Sequence, residues 1–257
     1  TNKTIAGFIK MNGIKKDEKA VISIPEMQVE KEIQLTVDGN AVFEIEAGDP
    51  ISYWSPESPK LYQVYVKTAY QLIKDEIGFR TIETRGPDIL LNGKSVFLRG
   101  ICMHEEINGR RANSNADAVK LLSLAKELGC NYVRLAHYPH SEYMLRMADK
   151  MGLMVWEEIP VYWTIDFTNK STYLNAQNQL TEVITRDKNR ASVIIWSVAN
   201  ETPLSDARNT FLHDLISHTK TLDTTRLISA ALLTRNEKGV GFIDDKIGEW
   251  LDAISFN

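Results

Sequence analysis

The sequence predicts an antiparallel β-sandwich domain over residues 1–85 and an incomplete α/β barrel over residues 86–257. Segments in the first part alternate apolar and polar residues, which is typical of antiparallel strands with one buried face. In the second part, short apolar runs alternate with amphipathic segments of helical length, as in βα units. The chain has 257 residues, of which 43% are hydrophobic, so it is long enough to form two such cores.

Several segments support the β-sandwich. "KEIQLTV" and "NAVFEIE" flank Asp38-Gly39, a dipeptide favoured in two-residue turns, so we expect a β-hairpin there. "LYQVYVKTAYQLI" is rich in Tyr and Val and predicts a further strand region. The segment "DPISYWSPESPKLY" contains Pro50, Pro56 and Pro59, which indicate a loop or a corner of the sandwich.

The second part starts with a βα unit. "SVFLRGICMHE" is the first candidate strand. The following "NADAVKLLSLAKELG" places Leu121, Leu122, Ala125 and Leu128 on one helical face before a terminating Gly129.

The same alternation continues along the chain. Further strands are predicted at "NYVRLAHYP", "LMVWEEIP", "SVIIWSVANE", "RLISAAL" and "LDAISFN", and helices at "SEYMLRMADKMG", "YLNAQNQLTEVITRDKN" and "DARNTFLHDLISHTKTLD". About six strands result, fewer than a closed (β/α) barrel needs. The pattern also fits a doubly wound sheet, but no Gly-rich phosphate loop follows the first strand, so a barrel is favoured.

Composition and charge exclude some partners. The formal net charge is −4 and no basic block interrupts the chain, so we predict neither a nucleic-acid nor a membrane partner. Cys102 and Cys130 lack metal-site spacing and are predicted to be inert buried thiols. The start "TNKTIAGFIK" has no initiator Met and no signal-peptide stretch, so we expect a processed or excised piece.

Polar side chains cluster where the predicted barrel strands end. In such barrels the C-terminal ends of the strands carry the working groups. Here those ends read His104-Glu105, His137-Tyr138, Glu157-Glu158 and Asn200-Glu201, with Tyr162 and Trp163 close by. Carboxylates, imidazoles, an amide and aromatic rings together suit a sugar site, where rings stack on apolar faces and hydroxyls need donors and acceptors.

Glycoside hydrolysis needs two carboxyl groups, one protonated and one ionised. Glu201 suits the acid, because an apolar strand and Trp196 are expected to raise its pKa by desolvation. The alternative is a structural glutamate at a helix N-terminus.

Strand geometry leaves two interpretations open for the second carboxyl group. Neighbouring strand residues point to opposite sides, so only one of Glu157 and Glu158 can face the barrel axis. The strand spacing permits Glu158 as nucleophile, and a rim salt bridge to Arg134 is the alternative. His137 and His140 are expected to donate or accept hydrogen bonds and not to ligate a metal.

Two long stretches, "NYVRLAHYPHSEYMLRMADKMGLMVWEEIP" and "DKNRASVIIWSVANE", resemble the characteristic segments of the family 2 glycoside hydrolases. That family includes β-galactosidases, β-glucuronidases and β-mannosidases. "YWSPESPKLYQVYVK" with "GFRTIE" resembles the end of the immunoglobulin-like sandwich that precedes their barrel. The resemblance therefore implies an immunoglobulin-like domain followed by a (β/α)8 TIM barrel, here truncated after about six strands.

The resemblance also implies roles for individual residues. Glu201 becomes the acid/base, and the substrate-binding residues are Asn200, which holds the sugar 2-hydroxyl, with His137, Arg134, His104 and Glu158. It assigns the nucleophile to a glutamate ending the seventh strand, so Glu158 becomes a binding or supporting residue. Members that hold magnesium take a carboxylate and a histidine from the loop after the third strand. "IPVYWT" has neither, so we predict no metal and no cofactor.

The expected function is hydrolysis of terminal β-linked sugars with retention, most like a β-galactosidase. The alternatives are a β-glucuronidase, which needs a cation for the sugar carboxylate, and a non-catalytic carbohydrate-binding module, which needs no proton-transfer residue. Without a seventh strand, we expect the chain alone to be inactive and its open sheet edges to favour association between copies.

Overall fold

The computed structural model describes residues 4–13, 18–47, 51–238 and 240–257. The chain divides into two compact units, which are Thr1–Trp54 with Lys60–Phe79, and Ser55–Pro59 with Arg80–Asn257. The predicted boundary at residue 85 lies close to this division, and the identity of the two domains stays a prediction. Within the described ranges, none of the helices is long and apolar enough to cross a membrane.

The first unit consists of strands in two antiparallel sheets. Its strands are β1 (Thr4–Lys10), β2 (Lys19–Ile24), β3 (Val29–Gln34), β4 (Asn40–Glu46), β5 (Tyr62–Lys67) and β6 (Leu72–Ile77). β1 pairs with β4, and the other four form a sheet in the order β3-β2-β5-β6. Ile5 and Ile45 from one sheet share a buried core with Ile22 and Ile33 from the other. The alternating pattern thus buries one face of each sheet.

The Asp38-Gly39 turn connects the two sheets and does not form the predicted hairpin. Gly39 has a φ of 76°, which glycine adopts without strain, and its N–H donates to the Thr36 carbonyl at 2.9 Å. However, β3 before the turn pairs with β2, while β4 after it pairs with β1. The hairpin prediction is wrong because a turn dipeptide fixes only the local chain reversal. Strand partners elsewhere in the sequence decide the pairing.

The proline-rich segment is a loop where the structure describes it. Pro56 lies between Ser55 and Ser58, which form an isolated antiparallel bridge, and Pro59 follows. No strand forms over residues 51–61 of the described chain. Pro50 lies outside the described residues.

The second unit contains most of the regular structure. Its strands are β7 (Ile82–Arg85), β8 (Asp88–Leu91), β9 (Lys94–Ser95), β10 (Gly100–Met103), β11 (Glu106–Ile107), β12 (Arg110–Arg111), β13 (Tyr132–Leu135), β14 (Met154–Glu158), β15 (Val193–Asn200), β16 (Leu227–Leu232), β17 (Arg235–Glu237), β18 (Val240–Phe242) and β19 (Ala253–Phe256). Its helices are α1 (Asn115–Glu127), α2 (Glu142–Met151), α3 (Lys170–Asp187) and α4 (Asp206–Leu222).

A curled parallel sheet organises this unit. Six strands follow the order β10-β13-β14-β15-β16-β19, and all neighbours are parallel. The six predicted barrel strands are therefore confirmed in their predicted order. Within the described residues β10 and β19 form the two edges, which is the arrangement of an incomplete TIM barrel. β7, β8 and β9 form a separate antiparallel sheet, and β11-β12 and β17-β18 are short antiparallel pairs.

The helix ends follow standard capping chemistry. The hydroxyl groups of Ser114 and Ser205 accept backbone N–H groups in the first turns of α1 and α4. Gly129 follows α1 with a φ of 76°, and Gly152 ends α2 with a φ of 68°. Both glycines adopt the left-handed conformation that terminates helices, as the sequence predicts for Gly129.

Leu128 does not share the burial of the other residues predicted on its helical face. It is 69% exposed, because the helix ends at Glu127 and Leu128 lies beyond its packed turns. The burial predictions for the two cysteines are wrong. Cys102 is exposed and Cys130 is half-buried, although both were predicted to be buried. Cys102 lies on the edge strand β10, in register with Arg134, where no further strand of the described chain covers it.

A buried carboxylate ties α2 to the start of β15. Asp149 is 1% exposed, and it accepts the backbone N–H of Ser192 at 2.8 Å and the Arg190 guanidinium at 3.4 Å. Burial raises the pKa of Asp149 to about 6, while the Arg190 charge and the hydrogen bonds from Ser192 oppose the shift. In the folded state Asp149 therefore stays protonated up to a higher pH than in the unfolded chain.

We predict that Asp149→Asn removes part of the pH dependence of stability. An unfolded aspartate titrates near ~3.9, and the folded pKa is about 6. Between these values the folded state binds more protons, so the contribution of Asp149 to the free energy of unfolding falls as pH rises from ~4 to ~6. Guanidinium unfolding across this window should show that the free energy of unfolding of Asp149→Asn rises relative to that of wild type as the pH increases, because the variant lacks this unfavourable contribution. Asp38→Asn, in the exposed turn, is the control. An equal pH dependence of the free energy of unfolding in wild type and Asp149→Asn would contradict the prediction.

Candidate active site

Arg134 lies at the centre of the predicted site. It is 5% exposed on β13, and its Nε and Nη2 atoms donate to the two carboxylate oxygens of Glu158, each at 3.0 Å. Nη2 also donates to Asn200 Oδ1 at 2.6 Å, and Nη1 donates to Asn257 Oδ1 at 2.7 Å. One guanidinium therefore links the C-terminal ends of β13, β14 and β15 with the residue that follows β19, because its planar donors point in several directions.

The Glu158 carboxylate is enclosed by donors. It is 1% exposed and, besides Arg134, accepts from Ser197 Oγ at 3.3 Å and Trp156 Nε1 at 3.4 Å. His137 Nδ1 lies 3.0 Å from Glu158 Oε1. Both oxygens are thus occupied, which leaves little lone-pair capacity for attack on a substrate. This geometry favours a supporting role for Glu158 over the nucleophile role that spacing alone permitted.

The hydrogen-bond network assigns the tautomer of neutral His137. Its Nδ1 lies 3.0 Å from Glu158 Oε1, which only accepts, and 3.3 Å from Arg134 Nη2, which only donates. Arg134 Nη2 already donates to Glu158 and Asn200, so the proton belongs on His137 Nδ1. Nε2 of His137 is then an acceptor, suited to a hydroxyl group.

Aromatic rings form an arc along the same rim. The ring centroids of His104 and Tyr138 are 5.8 Å apart, those of His104 and His137 are 5.6 Å apart, and His137 lies 5.9 Å from Tyr162. Trp163 continues the arc, with its ring 5.5 Å from Tyr162. The predicted residues His104 and His137 therefore meet in one surface. Such a row of rings suits the apolar faces of sugars.

Glu201 stands at the end of β15. Its backbone N–H donates to Ala231 at 2.8 Å, and its Oε2 accepts from Trp163 Nε1 at 3.1 Å. The pKa of Glu201 is lowered, because hydrogen bonds from the Asn257 and Trp163 side chains stabilise the anion more than partial burial disfavours it. The expectation of a raised pKa is wrong, since the carboxylate lies among donors at the rim and not against the apolar strand.

Glu157 points to the other side of β14 from Glu158. It is buried, and its Oε1 accepts from Arg186 at 3.2 Å. Burial raises its pKa well above the ordinary value, and the adjacent Asp187 raises it further. Only Glu158 faces the candidate site, as the alternation of a strand requires. The salt bridge to Arg134 is made by Glu158, whereas Glu157 pairs with Arg186.

The remaining candidates have structural contacts. His140 is buried, with Nε2 3.0 Å from the Ala136 carbonyl oxygen, and Glu105 pairs with Arg111 at 2.7 Å. Where the structure describes the chain, no cluster of three His, Cys, Asp or Glu side chains has a geometry that could hold a metal. The loop after β14 instead places Trp163 beside Glu201, and its indole is not a metal ligand.

Three contributions were missed in the sequence. Asn257 has no motif around it, and its part in the network depends on β19 lying beside β16. Ser197 lies in register with Glu158, and a hydroxyl inside an apolar strand was the available signal. Trp163 was recognised as a nearby aromatic residue, but its N–H contact to Glu201 depends on backbone geometry that no local pattern encodes.

The sequence model of "Glycosyl hydrolases family 2, TIM barrel domain" matches residues 82–243. The chain belongs to glycoside hydrolase family 2. It is 33% identical over 234 residues to a β-glucuronidase from Streptococcus agalactiae, which covers 80% of this chain and 38% of the relative. It is also 33% identical over 186 residues to a β-galactosidase from Psychromonas ingrahamii, which covers 67% of this chain and 18% of the relative.

Solved structures of the family share this fold. The apo structure of Bacteroides uniformis β-glucuronidase 3 matches with a TM-score of 0.78 and 29% identity, covering 89% of this chain and 31% of that one. The chain thus spans between 18% and 38% of the length of these family members. The resemblance identified in the sequence is confirmed at the level of the family.

We predict that Glu158→Ala destabilises the protein more than removal of both ion-pair partners does. The single substitution leaves the buried Arg134 without its carboxylate, which costs ~3–5 kcal/mol in comparable sites. The double variant Arg134→Met with Glu158→Leu removes both charges and should recover part of this loss. Chemical unfolding of wild type, both single variants and the double variant measures the coupling. Strictly additive losses would contradict the prediction.

Proposed function

We propose that the full-length protein containing this chain is a retaining β-glycosidase in which Glu201 is the general acid and base. The observation that carries the proposal is the position of Glu201 at the rim of the sheet, in contact with the Trp163 indole and beside the network of Arg134, Asn200 and His137. A proton-transferring carboxylate next to hydroxyl-binding groups is what glycoside hydrolysis requires.

In this proposal, the groups around Glu201 each contact a different part of the sugar. Asn200 Oδ1 already accepts from Arg134 and Asn257, so in this proposal its amide N–H groups serve the sugar 2-hydroxyl and Glu201. His137 accepts a sugar hydroxyl at Nε2, while His104 offers a ring at the exposed end of the arc. These assignments agree with the binding roles that the family resemblance implies.

The proposed reaction has two steps. Glu201 donates a proton to the glycosidic oxygen as the bond from the anomeric carbon to that oxygen breaks, and a second carboxylate attacks the anomeric carbon. Glu201 then accepts a proton from the water that hydrolyses the glycosyl-enzyme. Glu158 is engaged on both oxygens, so the proposal assigns the attack to a glutamate of a seventh strand, as the family resemblance implies.

The proposed substrate is either a β-glucuronide or a β-galactoside. Most of the similar proteins are β-glucuronidases, including that of Streptococcus agalactiae, whereas the β-galactosidase of Psychromonas ingrahamii represents the alternative. These similarities do not favour the β-galactosidase activity expected from the sequence over a β-glucuronidase activity. Arg134 is occupied by Glu158, so a cation for a uronate carboxylate would have to come from another residue.

We also propose an immunoglobulin-like topology for the first unit. Two antiparallel sheets that share one core support it.

We predict that Glu201→Gln in the full-length protein abolishes most activity on glycosides with poor leaving groups. General acid catalysis contributes ~10²- to 10⁴-fold, and activated aryl glycosides need it least. Hydrolysis rates are measured on alkyl and nitrophenyl β-glucuronides and β-galactosides. The comparison between sugars identifies the substrate class, and the comparison between leaving groups tests the acid role. Glu142→Gln, on the surface of α2, is the control and should behave as wild type. Equal slowing of alkyl and activated aryl substrates would argue against an acid, and an inactive wild type that still binds sugars would favour the carbohydrate-binding alternative.

We further predict that the 257-residue chain by itself does not hydrolyse these glycosides. A retaining pair needs a second free carboxylate ~5 to 5.5 Å from the acid, and donors enclose Glu158, the other carboxylate connected to the described site. The purified chain is incubated with nitrophenyl β-glucuronide and β-galactoside beside its Glu201→Gln variant. Turnover that is present in the chain and lost in the variant would overturn the prediction and restore Glu158 as nucleophile.

A further inference from the structure

The loop that carries Trp163 is attached to the end of β15. Asn200 N–H donates to the Val161 carbonyl at 2.9 Å, and Trp163 N–H donates to the Asn200 carbonyl at 3.0 Å. Tyr162 forms an isolated parallel bridge with Asn200 between these two bonds. The loop thus extends the pairing of β14 with β15 by a few residues. The position of Trp163 relative to Glu201 is therefore set by backbone hydrogen bonds.

Trp163 and Glu201 share an unusual backbone conformation. Their φ angles are 54° and 48°, in the left-handed region that non-glycine residues seldom adopt. Such conformations persist where the surrounding structure enforces them, and they concentrate at functional sites. Here the two residues are joined directly, because Trp163 Nε1 donates to Glu201 Oε2 at 3.1 Å. The unusual backbone at both positions brings one donor to one acceptor.

Burial does not account for the tryptophan. Trp163 is 64% exposed, so its large ring contributes little to the core of the unit. Its ring meets Tyr162 nearly at a right angle, with 5.5 Å between centroids, which restricts where the indole N–H points. The contact with Glu201 is thus the specific interaction that this side chain makes at the rim.

We propose that Trp163 is a positioning residue that fixes the carboxylate of Glu201 through its indole N–H. The inference rests on the proposed acid/base role of Glu201. One carboxylate oxygen is held by the indole, so the carboxylate plane has a defined orientation toward the glycosidic oxygen. A carboxylate free to rotate at a rim would present that orientation only part of the time.

The hydrogen bond from Trp163 also affects the pKa of Glu201. Hydrogen bonds from Asn257 and Trp163 lower the pKa of Glu201, and His137, from the loop after β13, acts in the same direction when it carries a positive charge. The strands β15, β16 and β19 contain no titratable side chain, while Arg134 and Glu158 on β13 and β14 connect to the site through Asn200. Loss of the indole N–H therefore raises the pKa of Glu201.

The test is Trp163→Phe in the full-length protein, which keeps an aromatic ring and removes the donor. We expect the alkaline limb of the pH profile of kcat/KM to move to higher pH, because this limb reports the acid in the free enzyme. We also expect kcat on a poor leaving group to fall ~10-fold, as for loss of a hydrogen bond to a charged group, with a smaller loss on dinitrophenyl glycosides. Trp250→Phe makes the same chemical change beside His213 on α4 and should leave both readouts unchanged.

The outcomes separate this inference from the proposed function. If Glu201→Gln is inactive on poor leaving groups but Trp163→Phe keeps the wild-type profile, the inference is overturned and the proposed function stands. If Glu201→Gln is fully active, the proposed function fails. A loss of activity in Trp163→Phe with an unmoved pH limb and an unchanged leaving-group dependence would also overturn the inference, since it would make the ring a substrate contact. Thermal unfolding of each variant verifies that the fold is intact.

Discussion

The buried ion pair between Arg134 and Glu158 is the interaction on which the arrangement of the site depends. Both side chains lie almost entirely out of water, so each charge requires the other, and the remaining donors and acceptors require partners of their own. The Arg134 guanidinium also donates hydrogen bonds to Asn200 and Asn257. The Glu158 carboxylate also contacts the imidazole of His137. The orientation of the side chains at this rim therefore depends on satisfying one buried ion pair. A lysine has no fork of donors and would not hold the same set.

The parallel sheet makes that pair possible. β14 and β15 are parallel neighbours, so their C-terminal ends lie at one rim, and both strands are buried along their whole length. Alternation along β14 then directs Glu158 into the site and Glu157 toward Arg186. Two identical neighbouring side chains thus acquire different partners, and burial beside Asp187 raises the pKa of Glu157. The strand period, and not the residue type, decides which glutamate serves the site.

Much of the second unit could be predicted, because its signals are periodic and local. Apolar runs gave the six parallel strands, and the glycine after α1 marked its end. The Asp38-Gly39 hairpin failed because strand pairing is a long-range property. In the site, motif resemblance predicted Arg134 and Glu201, and the structure places both at the same rim of the sheet. The resemblance did not reveal Asn257 or the donor role of Trp163, because these depend on how distant segments meet.

In the acid and base role proposed for Glu201, its protonation presents an electrostatic conflict. An acid must hold its proton near working pH, yet Asn257 and Trp163 favour the ionised form and lower the pKa. A retaining mechanism requires both states in turn, because the same group donates a proton first and accepts one later. Fixed donors supply the ionised state required for the second step. An ionised nucleophile nearby would raise the pKa of Glu201 for the first step, and that influence disappears when the nucleophile becomes esterified to the sugar. Donors that look unfavourable for an acid are therefore suited to the proposed role, in which Glu201 alternates between acid and base.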